Sequence, residues 1–301
     1  MSENGGIFDF LSAGDLSRLG RVSIGSRFTA DGSVAGSHKS QRKGVSVEFA
    51  DYRQYVAGDD PKHLDWRVFG RNERLYIREY EEETALKVHL LVDASSSMIC
   101  GEPSQNKYGF AAKLAAALAY IIIHHQDSAG LALFDTKTRS FLPPKNSLDH
   151  LRIICNTLKN THPAEKTDLA SCLHSLAEQT RRRGLVIIFS DLFDDVDKVR
   201  AALAHFRRRR HDVIVYHILD RTEVDFPFRD SAIFKDPETG EQLTATPKEI
   251  RTTYLAAFEE YLTKCRQICS SLGIDYQVAL SDHNPVDFLI RHLRQRALAG
   301  R

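Results

Sequence analysis

The stretch His89–Gly101, "HLLVDASSSMICG", decides how the chain is read. An apolar run of strand length, begun by Lys87 and Val88, stops on Asp93, and Ser95, Ser96 and Ser97 follow at once. A core strand that ends on a carboxylate and three hydroxyls admits three readings: a helix cap, a nucleophile or a metal site. Serine caps helices because its oxygen accepts from unpaired backbone N–H groups. A serine nucleophile calls for a Gly-x-Ser-x-Gly elbow or a histidine tied to it, and the sequence offers neither here. An aspartyl phosphotransferase also starts from Asp at a strand end. Its general acid is a second Asp two residues on, where this chain has Ser95.

Outward from this stretch, apolar runs of strand length alternate with helical patterns. Strands are expected at Lys87–Asp93, Ala129–Asp135, Gly184–Asp191, Asp212–Asp220 and Ile274–Leu280, with a short edge strand at Arg139–Leu142. Helices are expected at Lys107–His125, Asp149–Lys159, Leu169–Gln179, Val196–Arg208, Lys248–Gly273 and Pro285–Arg296. Continuous apolar strands separated by helices predict an α/β fold, a doubly wound, mainly parallel sheet covered on both faces. This domain is expected over residues 86–301, with a hairpin insertion near 229–246 around Thr239-Gly240. Residues 1–85 are expected to form a small β-rich N-terminal region. It has strands at Val45–Phe49 and Leu75–Tyr80, a flexible Gly/Ser/Lys-rich loop near 29–44 and a turn at Gly58–Pro61. Trp66 and its aromatic neighbours are expected to pack this region against the sheet.

Composition narrows the function. The 301 residues are 42% hydrophobic and 27% charged, with a net charge of +1. That balance argues against a dedicated nucleic-acid binder. The basic runs at Arg181–Arg183 and Arg207–Arg210 fall where helices end, where the helix dipole favours cations. The longest apolar run, Ala111–Ile123, is shorter than the ~20 residues a bilayer requires and contains Lys113, so no membrane span is expected. The N-terminus has acidic residues and no secretory pattern. Five cysteines without framework spacing read as buried thiols, Cys265 and Cys269 among them, and a cytoplasmic location is expected.

Open parallel sheets bind ligands beyond the carboxyl ends of their strands, where strand order reverses. Asp93 and Asp191 hold equivalent places on two strands, and Thr167 and Asp168 precede a helix between them. Two carboxylates and several hydroxyls form an all-oxygen set, which suits Mg²⁺. Neutral hydroxyls beside only two carboxylates leave such an ion attractive to a further carboxylate from another molecule. Metal-mediated recognition of a protein therefore needs no chemistry on a substrate.

At these residues the sequence resembles a von Willebrand factor A domain. That family's metal-ion-dependent adhesion site is Asp-x-Ser-x-Ser after the first strand, a Thr in a later loop and an Asp after a further strand. Asp93, Ser95, Ser97, Thr167 and Asp191 match it. The resemblance implies that Ser95, Ser97 and Thr167 hold the metal directly or nearly so, with Asp93 and Asp191 acting largely through water. Mg²⁺ is the expected ion, with Mn²⁺ or Ca²⁺ as alternatives. Two positions depart from the pattern: Glu165-Lys166 stands where related loops carry glycines, and Leu192 follows Asp191 in place of a frequent Gly.

A narrower resemblance covers nearly the whole chain. Glu48, Phe49, Asp51, Tyr52, Arg53, Tyr55, Gly58, Asp59, Asp60, Asp65 and Trp66, running into "LLVDASSSM", are similar to the domain of unknown function 58 family. That resemblance implies a non-enzymatic adaptor or co-chaperone of a MoxR-type AAA+ ATPase. An Asp or Glu of the ATPase or its client would complete the metal's shell. Two other readings stay open: a Mg²⁺-dependent hydrolase or phosphatase using Asp93, and an A-type scaffold that no longer binds metal.

Overall fold

The computed structural model describes residues 6–24, 39–56, 64–72, 75–83, 86–101, 106–164, 168–180, 182–228, 232–235, 242–245 and 247–299. Thr167, Glu165, Lys166, the turn at 58–61 and residues 29–38 of the expected loop lie outside the described residues. In chain order the elements are α1 (Ala13–Leu19), β1 (Lys39–Gln54), α2 (Trp66–Asn72), β2 (Tyr76–Glu83), β3 (Lys87–Asp93), α3 (Lys107–His124), β4 (Ser128–Phe134) and β5 (Thr138–Lys145). They continue with α4 (Leu148–Lys159), α5 (Leu169–Gln179), β6 (Leu185–Ser190), α6 (Val196–Arg208), β7 (Asp212–Leu219) and α7 (Arg221–Asp225). The last are β8 (Ala232–Lys235), β9 (Gln242–Ala245), α8 (Pro247–Ser271), β10 (Asp275–Leu280) and α9 (Pro285–Ala299).

Six strands form one sheet in the order β10-β7-β6-β3-β4-β5. All neighbours are parallel except β5, which runs antiparallel on the β4 edge. The chain winds from β3 outward through β4 to β5, then returns to β6 on the other side of β3 and winds outward again. This reversal makes the sheet doubly wound, and it puts the switch point between β3 and β6. The expected short edge strand at Arg139–Leu142 is longer and fills the whole of β5.

Both faces are covered. Leu91, Val186, Ile188, Val213 and Val215 pack on Leu173, Leu203, Phe206 and Cys269 from α5, α6 and α8. Tyr216, one residue on from Val215 and so on the opposite face, meets Phe288 and His292 of α9. Phe110 of α3 also meets Phe288. All residues of β6 and β7 are buried, as a strand covered on two sides requires. Gly184, at the entry to β6, is held small by its neighbour, since an added Cβ would lie 2.3 Å from the Lys87 carbonyl oxygen. β8 and β9 pair antiparallel as a separate two-stranded hairpin.

The chain divides into two compact units, one of Met1–Ser26 with Lys87–Arg301 and one of Arg27–Leu86. The opening residues thus belong with the α/β unit, which corrects the expectation of one N-terminal region over residues 1–85. The reason is apolar burial: Leu11, Leu19, Val22 and Ile24 are all buried, and α1 lies against α3 and α9. In the smaller unit β1 and β2 form an antiparallel pair. β1 begins at Lys39, so part of the expected flexible loop is strand. Its register sets Lys39 across from Glu83 and Lys43 across from Glu81. Asp65 caps α2 by accepting from Val68 N–H at 3.3 Å. Trp66 is 64% exposed and meets Phe69 edge-on.

Candidate metal centre

The parallel register that pairs Val92 with Phe189 carries β3 and β6 to the same sheet edge. Asp93 ends β3, and Ser190 ends β6 immediately before Asp191. The Ser190 hydroxyl donates to Asp93 Oδ2 at 2.7 Å, and Ser95 N–H donates to Asp93 Oδ1 at 2.9 Å. Asp93 and Ser95 are fully buried, and Ser97 and Asp191 are nearly so.

After Asp93 the chain makes a 3₁₀ turn over Ser96–Ile99 with Ser95 at its N-cap position. Ser95 makes no side-chain cap bond there. Its Oγ lies 3.0 Å from Ser97 Oγ instead. The next helix, α3, is capped by Asn106, whose Oδ1 accepts from Gly109 N–H at 2.7 Å. The helix-cap reading of the serines therefore has no support in the geometry. The Ser96 oxygen is buried without a hydrogen-bond partner among the described residues.

Asp191 leads into a tight loop. Leu192 takes φ of 56°, a left-handed conformation that is uncommon for a residue with a side chain. This accounts for the glycine frequent at that position in the resembled pattern. The strain is held by three contacts. Leu192 N–H donates to Ser190 Oγ at 2.9 Å, Tyr261 O–H donates to the Leu192 carbonyl at 2.6 Å, and the Leu192 side chain is buried. Asp168 caps α5, accepting from Ser171 N–H at 3.2 Å.

The residue that sequence reasoning missed is Lys107. It opens α3, is fully buried, and donates from Nζ to Asp191 Oδ2 and to Glu223 Oε1, both at 2.7 Å. The Phe193 ring lies over the ammonium at 5.3 Å. Burial alone would lower the Lys107 pKa, but Asp191 and Glu223 outweigh it and raise it, so this group is a cation. A signal existed in the sequence. A lysine in the first turn of a helix opposes the helix dipole, and only nearby carboxylates make such a place favourable. Burial pushes Asp93 up to about 7, with the neighbouring Asp191 adding to it and the bonds from Ser190 and Ser95 opposing it. On the far side of Asp191, burial drives His217 down to about 4, a neutral imidazole.

The donor set fits a small divalent cation. Among the described residues no group of three or more His, Cys, Asp or Glu is placed to hold a metal, so any ion here needs hydroxyl ligands. Adjacent ligands of an octahedral ion with bonds of ~2.0–2.1 Å stand about 2.9 Å apart, close to the 3.0 Å between Ser95 and Ser97 Oγ. Two carboxylates, Asp191 and the half-buried Glu223, meet the buried ammonium of Lys107, and Asp93 lies beside Asp191.

Fold and site together define a class: a doubly wound α/β domain with hydroxyls and carboxylates gathered at its switch point. The family model described as "Protein of unknown function DUF58" matches residues 51–263, and the chain belongs to that family. It is 26% identical over 213 residues to uncharacterized protein Rv1480 of Mycobacterium tuberculosis (strain ATCC 25618 / H37Rv), covering 70% of this chain and 67% of that protein. Among solved structures it resembles an aerotolerance-related membrane protein from Bacteroides fragilis NCTC 9343 (14% identity, 71% of this chain, 100% of that chain, TM-score 0.47). It also resembles the SpRpn10 VWA domain (12% identity, 69% of this chain, 95% of that chain, TM-score 0.38). No helix among the described residues is long and apolar enough to cross a membrane.

Proposed function

We propose that this chain is a non-enzymatic, metal-dependent protein-interaction module. Mg²⁺ is the favoured ion, held by Asp93, Ser95, Ser97, Asp191 and, on the sequence pattern, Thr167. The observation that carries the reading is the convergence of two facing hydroxyls and two carboxylates at the switch point, with negative charge in excess of the one ammonium. The carboxylates are already engaged. Asp93 accepts from Ser95 N–H and the Ser190 hydroxyl, and Asp191 accepts from Lys107. Serine hydroxyls are then the groups best placed to touch the ion, and neutral ligands leave it able to attract a carboxylate from outside. A partner Asp or Glu takes that place. Ser95 Oγ meets another hydroxyl, which supports a ligand role for it over that of a nucleophile activated by a contacting base.

On the family resemblance, the partner is a MoxR-type AAA+ ATPase or its client, met in the cytoplasm. The test is an affinity pull-down with tagged protein in Mg²⁺ and in chelator. The expected result is retention of an AAA+ ATPase only with Mg²⁺, and its loss in Asp93→Ala and Ser95→Ala. Equal retention by both variants would exclude a metal bridge.

A further inference from the structure

Lys107 is not part of the hydroxyl–carboxylate pattern, yet it is a fully buried charge at the site. Its three ammonium hydrogens face three groups. Asp191 Oδ2 and Glu223 Oε1 accept at 2.7 Å each, and the Phe193 ring covers the third side at 5.3 Å. The arrangement is braced on every side. Phe193 stacks on Tyr261 of α8 at 5.7 Å between ring centres. Glu223 uses its second oxygen, Oε2, to accept from Asp220 N–H at 2.7 Å, closing the capping box of α7. Lys107 itself is fixed at the start of α3 by the Asn106 cap.

A cation bonded to Asp191 and a metal held beside Asp191 draw on the same negative charge. We infer that Lys107 is an affinity-setting residue of the metal site, a built-in cation that shares Asp191 with the metal and keeps metal binding weak until an outside carboxylate joins the ion. The inference rests on the metal reading above. Three consequences follow. Asp191 acts on the ion from behind an ammonium, so the direct ligands are the serine hydroxyls. Metal and acidic partner strengthen each other's binding, and by linkage the effect is reciprocal. Glu223 supports metal binding from a distance, because it draws the ammonium away from Asp191.

The charge arithmetic makes the inference testable without a partner. Lys107→Met with Glu223→Gln removes one positive and one negative charge, so the net charge of the buried cluster is unchanged. Only the hold on Asp191 is released. Glu223→Gln alone removes a negative charge and leaves the ammonium to Asp191. The probe is Mn²⁺ alone, followed by electron paramagnetic resonance and competed with Mg²⁺, on the full chain and with circular dichroism as the check on folding. The double variant is expected to bind Mn²⁺ roughly tenfold more tightly than the parent, since the net charge is unchanged and the charge-assisted hydrogen bond that occupies Asp191 is worth about that much. Glu223→Gln is expected to bind it more weakly than the parent. This single variant keeps the inference testable if the double variant does not fold. Tight binding by the double variant beside undetectable binding by the parent also supports it. Three proteins of equal affinity, with binding abolished by Ser95→Ala, would reduce Lys107 to a structural staple and leave the metal site standing. No binding by any of them would remove the metal site and this inference together.

Discussion

The two ends of the central sheet carry the same kind of chemistry with opposite outcomes. At the end where β7 and β10 begin, Asp212 and Asp275 are clamped by one guanidinium. Arg296 Nη2 meets Asp212 Oδ2 and Nη1 meets Asp275 Oδ2, both at 2.6 Å. His292 Nε2 lies 3.3 Å from the same Asp275 oxygen, and its Nδ1 meets the Tyr216 hydroxyl at 2.8 Å. Each of these groups finds a partner inside the network. At the other end, two carboxyl groups share one lysine, Asp93 lies beside Asp191, two hydroxyls face each other, and Ser96 Oγ has no partner among the described residues. Burial is similar at both ends. What separates the two ends is satisfaction of the polar atoms: at the first each of these groups is bonded within the network, and at the second Ser96 Oγ is buried with no partner among the described residues.

The largest effect expected from this contrast is at the closed end. Arg296→Met strands the buried Asp212 and takes one partner from the half-buried Asp275, and breaking a buried pair by removing one partner costs about 3–5 kcal/mol. Burial alone would raise the Asp275 pKa, but His292 and Arg296 outweigh it and lower it. An Asp lowered in the folded state stabilises above its unfolded pKa, and that stability is lost as pH falls through the folded value. Urea unfolding should show the loss near neutral pH, with part of it recovered on acidification, when the stranded carboxyls protonate. Mn²⁺ affinity should not change. A variant that loses metal binding while keeping its stability would contradict the division between the two ends.

How much of this was legible in the sequence depends on the kind of signal. α5 and α6 have the bounds expected for them, because each pairs an apolar stripe with an Asp at the N-cap, Asp168 and Asp195. The doubly wound sheet was legible because its strands are continuous apolar runs. β1 was not. Its first residues, Lys39 to Gly44, have the composition of a loop, and only the acidic strand across from them marks them as paired. At the site, Asp93, Ser95 and Ser97 announce themselves by spacing. Lys107 and Glu223 do not, being 116 residues apart and joined only by the fold. The Arg296 clamp was hidden for the same reason.

Between the two ends, His89 sits mid-strand on β3, stacked on Phe141 at 6.5 Å. Burial, with smaller contributions from His211 and Lys87, drives its pKa down to about 4. The sign follows directly. Below an unfolded value near 6.5 the unfolded chain takes a proton that the folded chain refuses until about 4, so acidification favours unfolding across that window. From about pH 7 to about pH 5 this one residue should cost roughly 2 kcal/mol of stability. His89→Leu should flatten that part of the urea-midpoint profile. An unaltered slope would place the acid sensitivity elsewhere, the metal end included.

The smallest effect is the most discriminating for the open end. Ser96 lies between Ser95 and Ser97, and its oxygen is buried without a partner among the described residues. An unsatisfied buried hydroxyl is a liability of about 1–3 kcal/mol, set against the small packing loss of deleting one oxygen. Ser96→Ala should therefore leave stability unchanged or raise it by up to about 1 kcal/mol. It should leave Mn²⁺ affinity where it was, whereas Ser95→Ala and Ser97→Ala should each abolish or sharply weaken it. Three neighbouring hydroxyls, identical in chemistry, are thus expected to differ only by where the 3₁₀ turn aims them. If Ser96→Ala loses the metal while Ser97→Ala keeps it, the cup is built from other atoms, and the distance between Ser95 and Ser97 is a hydrogen bond and nothing more.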